Sequence, residues 1–255
     1  MTKVAHHTWP DGSRRSRLQQ AGADLALAVV PLTALATTTW WLLELPVGYF
    51  AQVAVAYVGL ALLLVWHLPD RATAGGLGAA NRLTLGRATL ILPLSAIAAR
   101  PVVVAADIAW YIIGVATVAL VLDGVDGWMA RRSHKASPFG ARFDMELDSF
   151  LMLVLSILVW RSGKVEAWAI LIGLPRYLYV AAGWVWPMLR AELPPSVRRK
   201  AVCVIQGVLL LVCLGPIISP ALATAAAASA LAVLAYSFAV DILWLTRSRS
   251  DGRDA

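Results

Sequence analysis

The stretch from Leu122 to Ser149 reads LDGVDGWMARRSHKASPFGARFDMELDS. Its aspartates come in two pairs. Asp123 and Asp126 are three apart and Asp144 and Asp148 four apart, so on helices each pair shares a face. The first pair leaves an apolar segment and the second enters another, which sets both pairs at one end of adjoining helices. The polar loop from Asp123 to Arg142 can fold the pairs toward each other. Converging carboxylates repel, and each costs about 2.5–3.5 kcal/mol at the centre of a membrane helix. Such a cluster persists when a cation fills its middle. Carboxylate oxygens suit magnesium, manganese or calcium, whereas zinc prefers His and Cys. Two such ions about 4 Å apart would serve an in-line displacement at phosphorus. Gly127 and Gly140 allow close backbone approach, and Ala130 keeps the helix face slim. Arg131, just over one turn beyond Asp126, suits bidentate contact with phosphate.

The rest of the chain puts this stretch in a membrane. Of its 255 residues, 60% are hydrophobic and only 15% charged. Soluble domains are roughly half apolar and a quarter charged. The apolar residues fall in blocks long enough to cross a bilayer as helices. Eight spans are expected, near 23–43, 48–67, 83–99, 102–122, 145–160, 166–188, 201–217 and 221–245. Pro, Gly or charge interrupts between them, as at Glu44-Leu-Pro46, Arg100-Pro101 and Gly215-Pro216. The expected fold is therefore all-α, a polytopic integral membrane helical bundle. A basic N-terminus (1–22) precedes the first apolar stretch, which is too long for a signal peptide and reads as an uncleaved span.

The basic residues set the topology. With the N-terminus in the cytoplasm, cytoplasmic segments hold 18 Lys and Arg and outer loops hold 3, namely Arg100, Arg161 and Lys164. Both termini and the aspartate loop then face the cytoplasm. The formal charge of +7 follows from these loops and from attraction to anionic lipid and phosphate, and nucleic acid is not an expected partner. The cysteines, Cys203 and Cys213, sit in one apolar block and read as small buried residues. The histidines read as solvated or interfacial, and the tryptophans, mostly near span ends, as an aromatic belt. The run Ala221 to Ala232 reads as close helix packing through small residues. Arginine exceeds lysine 18 to 4 and alanine is abundant, as in high-GC bacteria, so the expected site is the cytoplasmic membrane.

The pattern D-x2-D-G-x2-A-R-x8-G-x3-D-x3-D resembles the CDP-alcohol phosphotransferase family, matching at Asp123, Asp126, Gly127, Ala130, Arg131, Gly140, Asp144 and Asp148. The resemblance covers the six spans from about Asn81 onward, giving a family core over 81–247 and a cytoplasmic tail over 248–255. The two spans within 23–80 are additional to it and carry no chemistry in the sequence. The resemblance implies that Asp123, Asp126 and Asp144 hold two divalent ions, Mg2+ or Mn2+. It implies that Asp148 touches the second ion and is the catalytic base for an alcohol acceptor. The donor it implies is a CDP-linked lipid, CDP-diacylglycerol, with release of CMP in phospholipid biosynthesis by a homodimer among membrane lipids. Gly127, Ala130 and Arg131 would line the nucleotide pocket.

Further site residues follow from the same likeness. Asn81, Thr84 and Arg87 fit an N-x2-T-x2-R element that family members carry beside the nucleotide; a helix cap with a snorkelling arginine is the bland reading. Lys200 and Gln206 keep the spacing of an element in glycerophosphate-using members, but Arg199 and Val202 replace its glycine and second lysine. A basic loop obeying topology explains Lys200 equally well. Arg176, after Pro175, is an intramembrane arginine and a candidate phosphate contact; the acid that usually follows it is here Tyr177. The competing class is an ion- or proton-coupled transporter using the aspartates. Against it, the carboxylates cluster at one face of the membrane, and no repeat or paired broken helices are legible.

Overall fold

The computed structural model describes residues 12–66, 78–100, 104–133, 138–186 and 196–251, and side chains within 19–65, 81–100, 104–125, 140–186 and 196–244. Among these residues the chain is helical throughout. In order come α1 (Gly12–Leu42), α2 (Gly48–Trp66), α3 (Gly78–Ala98), α4 (Ala106–Ser133) and α5 (Pro138–Arg161). A 3-10 helix (Ala167–Ile172), α6 (Pro175–Val185), α7 (Val197–Leu214) and α8 (Pro220–Asp251) follow.

Among the described residues, four helices are long and apolar enough to cross a membrane: Gln19–Leu42, Gly48–Val65, Ala106–Val125 and Pro220–Trp244. Within these stretches only 17–22% of residues are buried. Leu27, Val30, Val55 and Leu62 are each more than 60% exposed. Apolar exposure on that scale is stable in lipid, not in water, so the chain is membrane-embedded. The other expected spans also fall on helices, but charge or length sets them apart. Arg82 and Arg87 sit in α3, Asp144, Glu146 and Asp148 in α5, and Arg198 to Lys200 in α7.

Two expectations are corrected. The segment expected at 166–188 is not one continuous helix: as far as residue 186 it is the 3-10 helix followed by α6. At 11 residues, α6 is about 16 Å long, against roughly 30 Å of hydrocarbon. Pro175 lacks an amide hydrogen and so opens α6 at its first turn, where none is needed. The polar loop from Asp123 to Arg142 is also mostly helix. Met129, Ala130 and the arginines after them are good helix formers and carry α4 on to Ser133, and Pro138 opens α5.

The helices fall into two compact units. The first comprises Met1–Pro93 and Leu122–Asp144. Its core is a cluster of Ala21 and Ala28 from α1, Leu64 from α2, Leu85 from α3 and Phe143 from α5, with Leu25 and Leu60 packed against it. The Tyr57 hydroxyl donates to the Leu25 carbonyl at 2.5 Å, and Arg82 Nε reaches Asp24 at 2.8 Å.

The second unit comprises Leu94–Val121 and Met145–Ala255. Here α7 packs on α8 through small residues, as the alanine run implied. Ala223, Ala227 and Ala230 are fully buried, and the Cys213 thiol donates to the Ala223 carbonyl at 3.2 Å. After the 3-10 helix the chain presses onto α5. A Cβ at Gly173 would stand 2.4 Å from Leu153 Cα and 2.6 Å from Ser156 Oγ. Because one obstacle is backbone, Gly173→Ala is expected to cost about 1–3 kcal/mol. Gly59, with nothing within 4 Å of its Cβ position, is the control. Thermal melting in detergent should show a lowered midpoint for Gly173→Ala and no loss for Gly59→Ala.

Candidate active site

On α3, Asn81, Thr84 and Arg87 recur every three residues and lie along one side of the helix. All are buried, and Arg87 is fully so. A guanidinium shut away from water needs negative partners. Asp123 and Asp144 supply them: Arg87 Nη1 lies 2.7 Å from Asp123 Oδ1 and 2.5 Å from Asp144 Oδ1. One arginine thus ties α4, at Asp123, to α5, at Asp144. The snorkelling alternative is set aside, since Arg87 turns inward to carboxylates.

The aspartates remain open to a ligand. The Asp123 side chain is 27% exposed and that of Asp144 36%. Each offers an oxygen within 4.8 Å of the other, and Asp148 follows one turn on along α5. Asp123 and Asp144 both meet the one Arg87 guanidinium, so carboxylates outnumber this cation. All the donors are hard oxygens, and this set fits a divalent cation such as magnesium or manganese. Asp126, Gly127, Ala130 and Arg131 lie on α4, one to two turns past Asp123, with side chains outside the described residues. Gly140 is half-buried in the first turn of α5.

The other candidates belong to the second unit. Arg176, in the first turn of α6, forms an ion pair with Glu146 through Nη2 and donates from Nε at 3.2 Å. Tyr177 fills the place where an acid was expected, and the acid comes instead from α5. Sequence reasoning missed Glu146. The one available signal was its place between Asp144 and Asp148, offset by two residues and so on a different face of α5. Lys200 is exposed on α7. Its neighbours hold the helix pair together: Arg198 contacts Asp241 at 2.5 Å and Arg199 at 3.3 Å. Gln206 is buried.

Residues 77–241, well over half of the chain, match the family model described as CDP-alcohol phosphatidyltransferase. A 55-residue stretch is 40% identical to human ethanolaminephosphotransferase 1, covering 21% of this chain and 14% of that protein. No solved structure matches.

Proposed function

The chain belongs to the CDP-alcohol phosphatidyltransferase family, a membrane-embedded transferase of phospholipid biosynthesis that moves a phosphate-linked group from a CDP-alcohol; from that premise we propose that it carries a phosphatidyl group from CDP-diacylglycerol to an alcohol. The observation that carries the reading is the pair of Asp123 and Asp144, with carboxylate oxygens within 4.8 Å of each other and partly exposed, and with Asp148 one turn on along α5. We assign Asp123, Asp126 and Asp144 to hold two magnesium or manganese ions, with Asp148 touching the second. When bound, the ions neutralise the charge that develops on the phosphoryl oxygens.

The residues then divide the work. Asp148 accepts the proton of the acceptor hydroxyl. The resulting alkoxide attacks the β-phosphorus of the donor, the bond to the bridging oxygen breaks, and CMP leaves. This is positioning and charge neutralisation, as in other phosphoryl transfers. Gly127, Ala130, Arg131 and Gly140 border the nucleotide, as do Asn81 and Thr84 from α3. Arg87 holds Asp123 and Asp144 in place between turnovers. Arg176, steadied by Glu146, and Lys200 stand as contacts for acceptor or donor phosphate. The bias of 18 cations to 3 supports an active site and termini on the cytoplasmic side of the inner membrane. We further propose a homodimer, in keeping with the family.

A second reading rests on the human relative, whose name describes transfer of an ethanolamine phosphate. There the CDP would carry the head group and the lipid would be the acceptor. Purified protein with magnesium separates the two. CDP-diacylglycerol is offered with a panel of alcohols, and CDP-ethanolamine with diacylglycerol. CMP release in the first arm alone, dependent on metal and on one alcohol, is the expected result. Release in the second arm alone would exchange the roles of lipid and head group. Release in neither, from folded protein, would sink both.

A further inference from the structure

The two helices that precede the family core lean on the residues that build the site. Asp24 is 6% exposed, inside the apolar stretch Gln19–Leu42 of α1. A carboxylate there is costly unless it is paired. Arg82 pairs with it, Nε lying 2.8 Å from Oδ1. Arg82 stands in the Asn81–Arg87 segment, five residues before the arginine that joins Asp123 to Asp144.

Two arginines on one helix therefore face two different anchors. At about 100° per residue, Arg82 and Arg87 point roughly 140° apart around α3. An ion pair on each side restrains the rotation of the helix, the Arg82 side chain being 58% exposed and Asp24 buried. The apolar contacts repeat the arrangement. Ala21, Ala28 and Leu64 from α1 and α2 cluster with Leu85, two residues before Arg87, and with Phe143, directly before Asp144. The Tyr57–Leu25 hydrogen bond joins α2 to α1. Both chain segments that present the Arg87–Asp144 pair thus rest on these helices.

We propose that Asp24 is a positioning residue: by holding Arg82 it sets the rotation of α3, and so the placement of Arg87 against Asp123 and Asp144. Its effect on turnover rests on the function proposed above; its effect on metal binding needs only the aspartates. The test uses Asp24→Asn, Arg82→Gln, their combination, and Asp24→Glu, all in the full chain. The magnesium concentration for half-maximal thermal shift is measured in detergent, beside donor KM and kcat.

Asp24→Asn and Arg82→Gln are each expected to raise the magnesium half-saturation roughly tenfold, and the double variant no further, as for residues acting as one unit. Donor KM should rise with it more than kcat falls, and Asp24→Glu should restore both. A lowered melting midpoint with unchanged magnesium half-saturation would mean that the pair only holds helices together, and would overturn the proposal. So would additive effects in the double variant. The thermal shift needs no turnover. If wild type released no CMP while Asp24→Asn still moved the magnesium half-saturation, the positioning role would stand and the enzymatic reading would fall. Normal turnover with no such movement would have the reverse meaning.

Discussion

Asp148→Asn is expected to lower CMP release by a factor of roughly 10²–10⁴, the usual worth of a general base. Asparagine has the shape of aspartate but cannot accept the proton of the attacking hydroxyl. Asp148 is half-buried one turn beyond Asp144, and asparagine keeps its volume there. The melting midpoint should therefore change little. The loss should fall on kcat, because donor binding draws on other residues. Single-turnover kinetics check this directly by separating chemistry from binding. Activity within tenfold of wild type would remove Asp148 from the role of base and leave it a metal ligand at most.

Arg87→Met is the second large effect, and it should appear in stability before activity. Removing one partner of a buried ion pair costs about 3–5 kcal/mol, because the charge left behind is uncompensated. The lower end applies here, since Asp123 and Asp144 keep 27% and 36% of their side-chain exposure. Magnesium should restore part of the loss, as a divalent cation supplies the missing positive charge. The variant should thus show a larger magnesium-induced rise in melting temperature than wild type. Arg87→Lys should recover only part of the stability, because a compact ammonium lacks the planar reach of a guanidinium. Equal melting curves for Arg87→Met and wild type without metal would show that the pairs contribute nothing.

What the sequence made legible was whatever depends on local spacing. The three- and four-residue intervals among the aspartates predict shared helix faces whatever surrounds them, and Asp144 and Asp148 do stand one turn apart on α5. The helical class and the membrane setting follow from the length of the apolar blocks. What escaped was pairing at a distance. Arg176 finds its carboxylate in Glu146, 30 residues earlier, and Asp241 takes up Arg198 and Arg199 from another helix. No periodicity connects such partners. The extent of α4 was misjudged for a different reason. Aspartate and glycine at 123–127 resemble the end of a helix, yet the alanine and arginines that follow sustain it. The break in the helix expected at 166–188 shows that hydropathy counts residues without noticing Gly173, whose missing side chain lets the chain press onto α5.

The placement of Arg87 also has a consequence for biosynthesis. Its guanidinium leaves the ribosome 57 residues ahead of Asp144. At about 5–20 residues per second, that leaves it without this partner for roughly 3–11 s. Inserting α3 alone would carry a bare charge into lipid at about 2.5–3.5 kcal/mol. The favourable order is for α3 to wait at the membrane surface until α4 and α5 emerge, and to enter with them as a neutralised group. Joint entry of the three helices would spare that cost, because the contact that steadies the finished site also neutralises the charge on the way in.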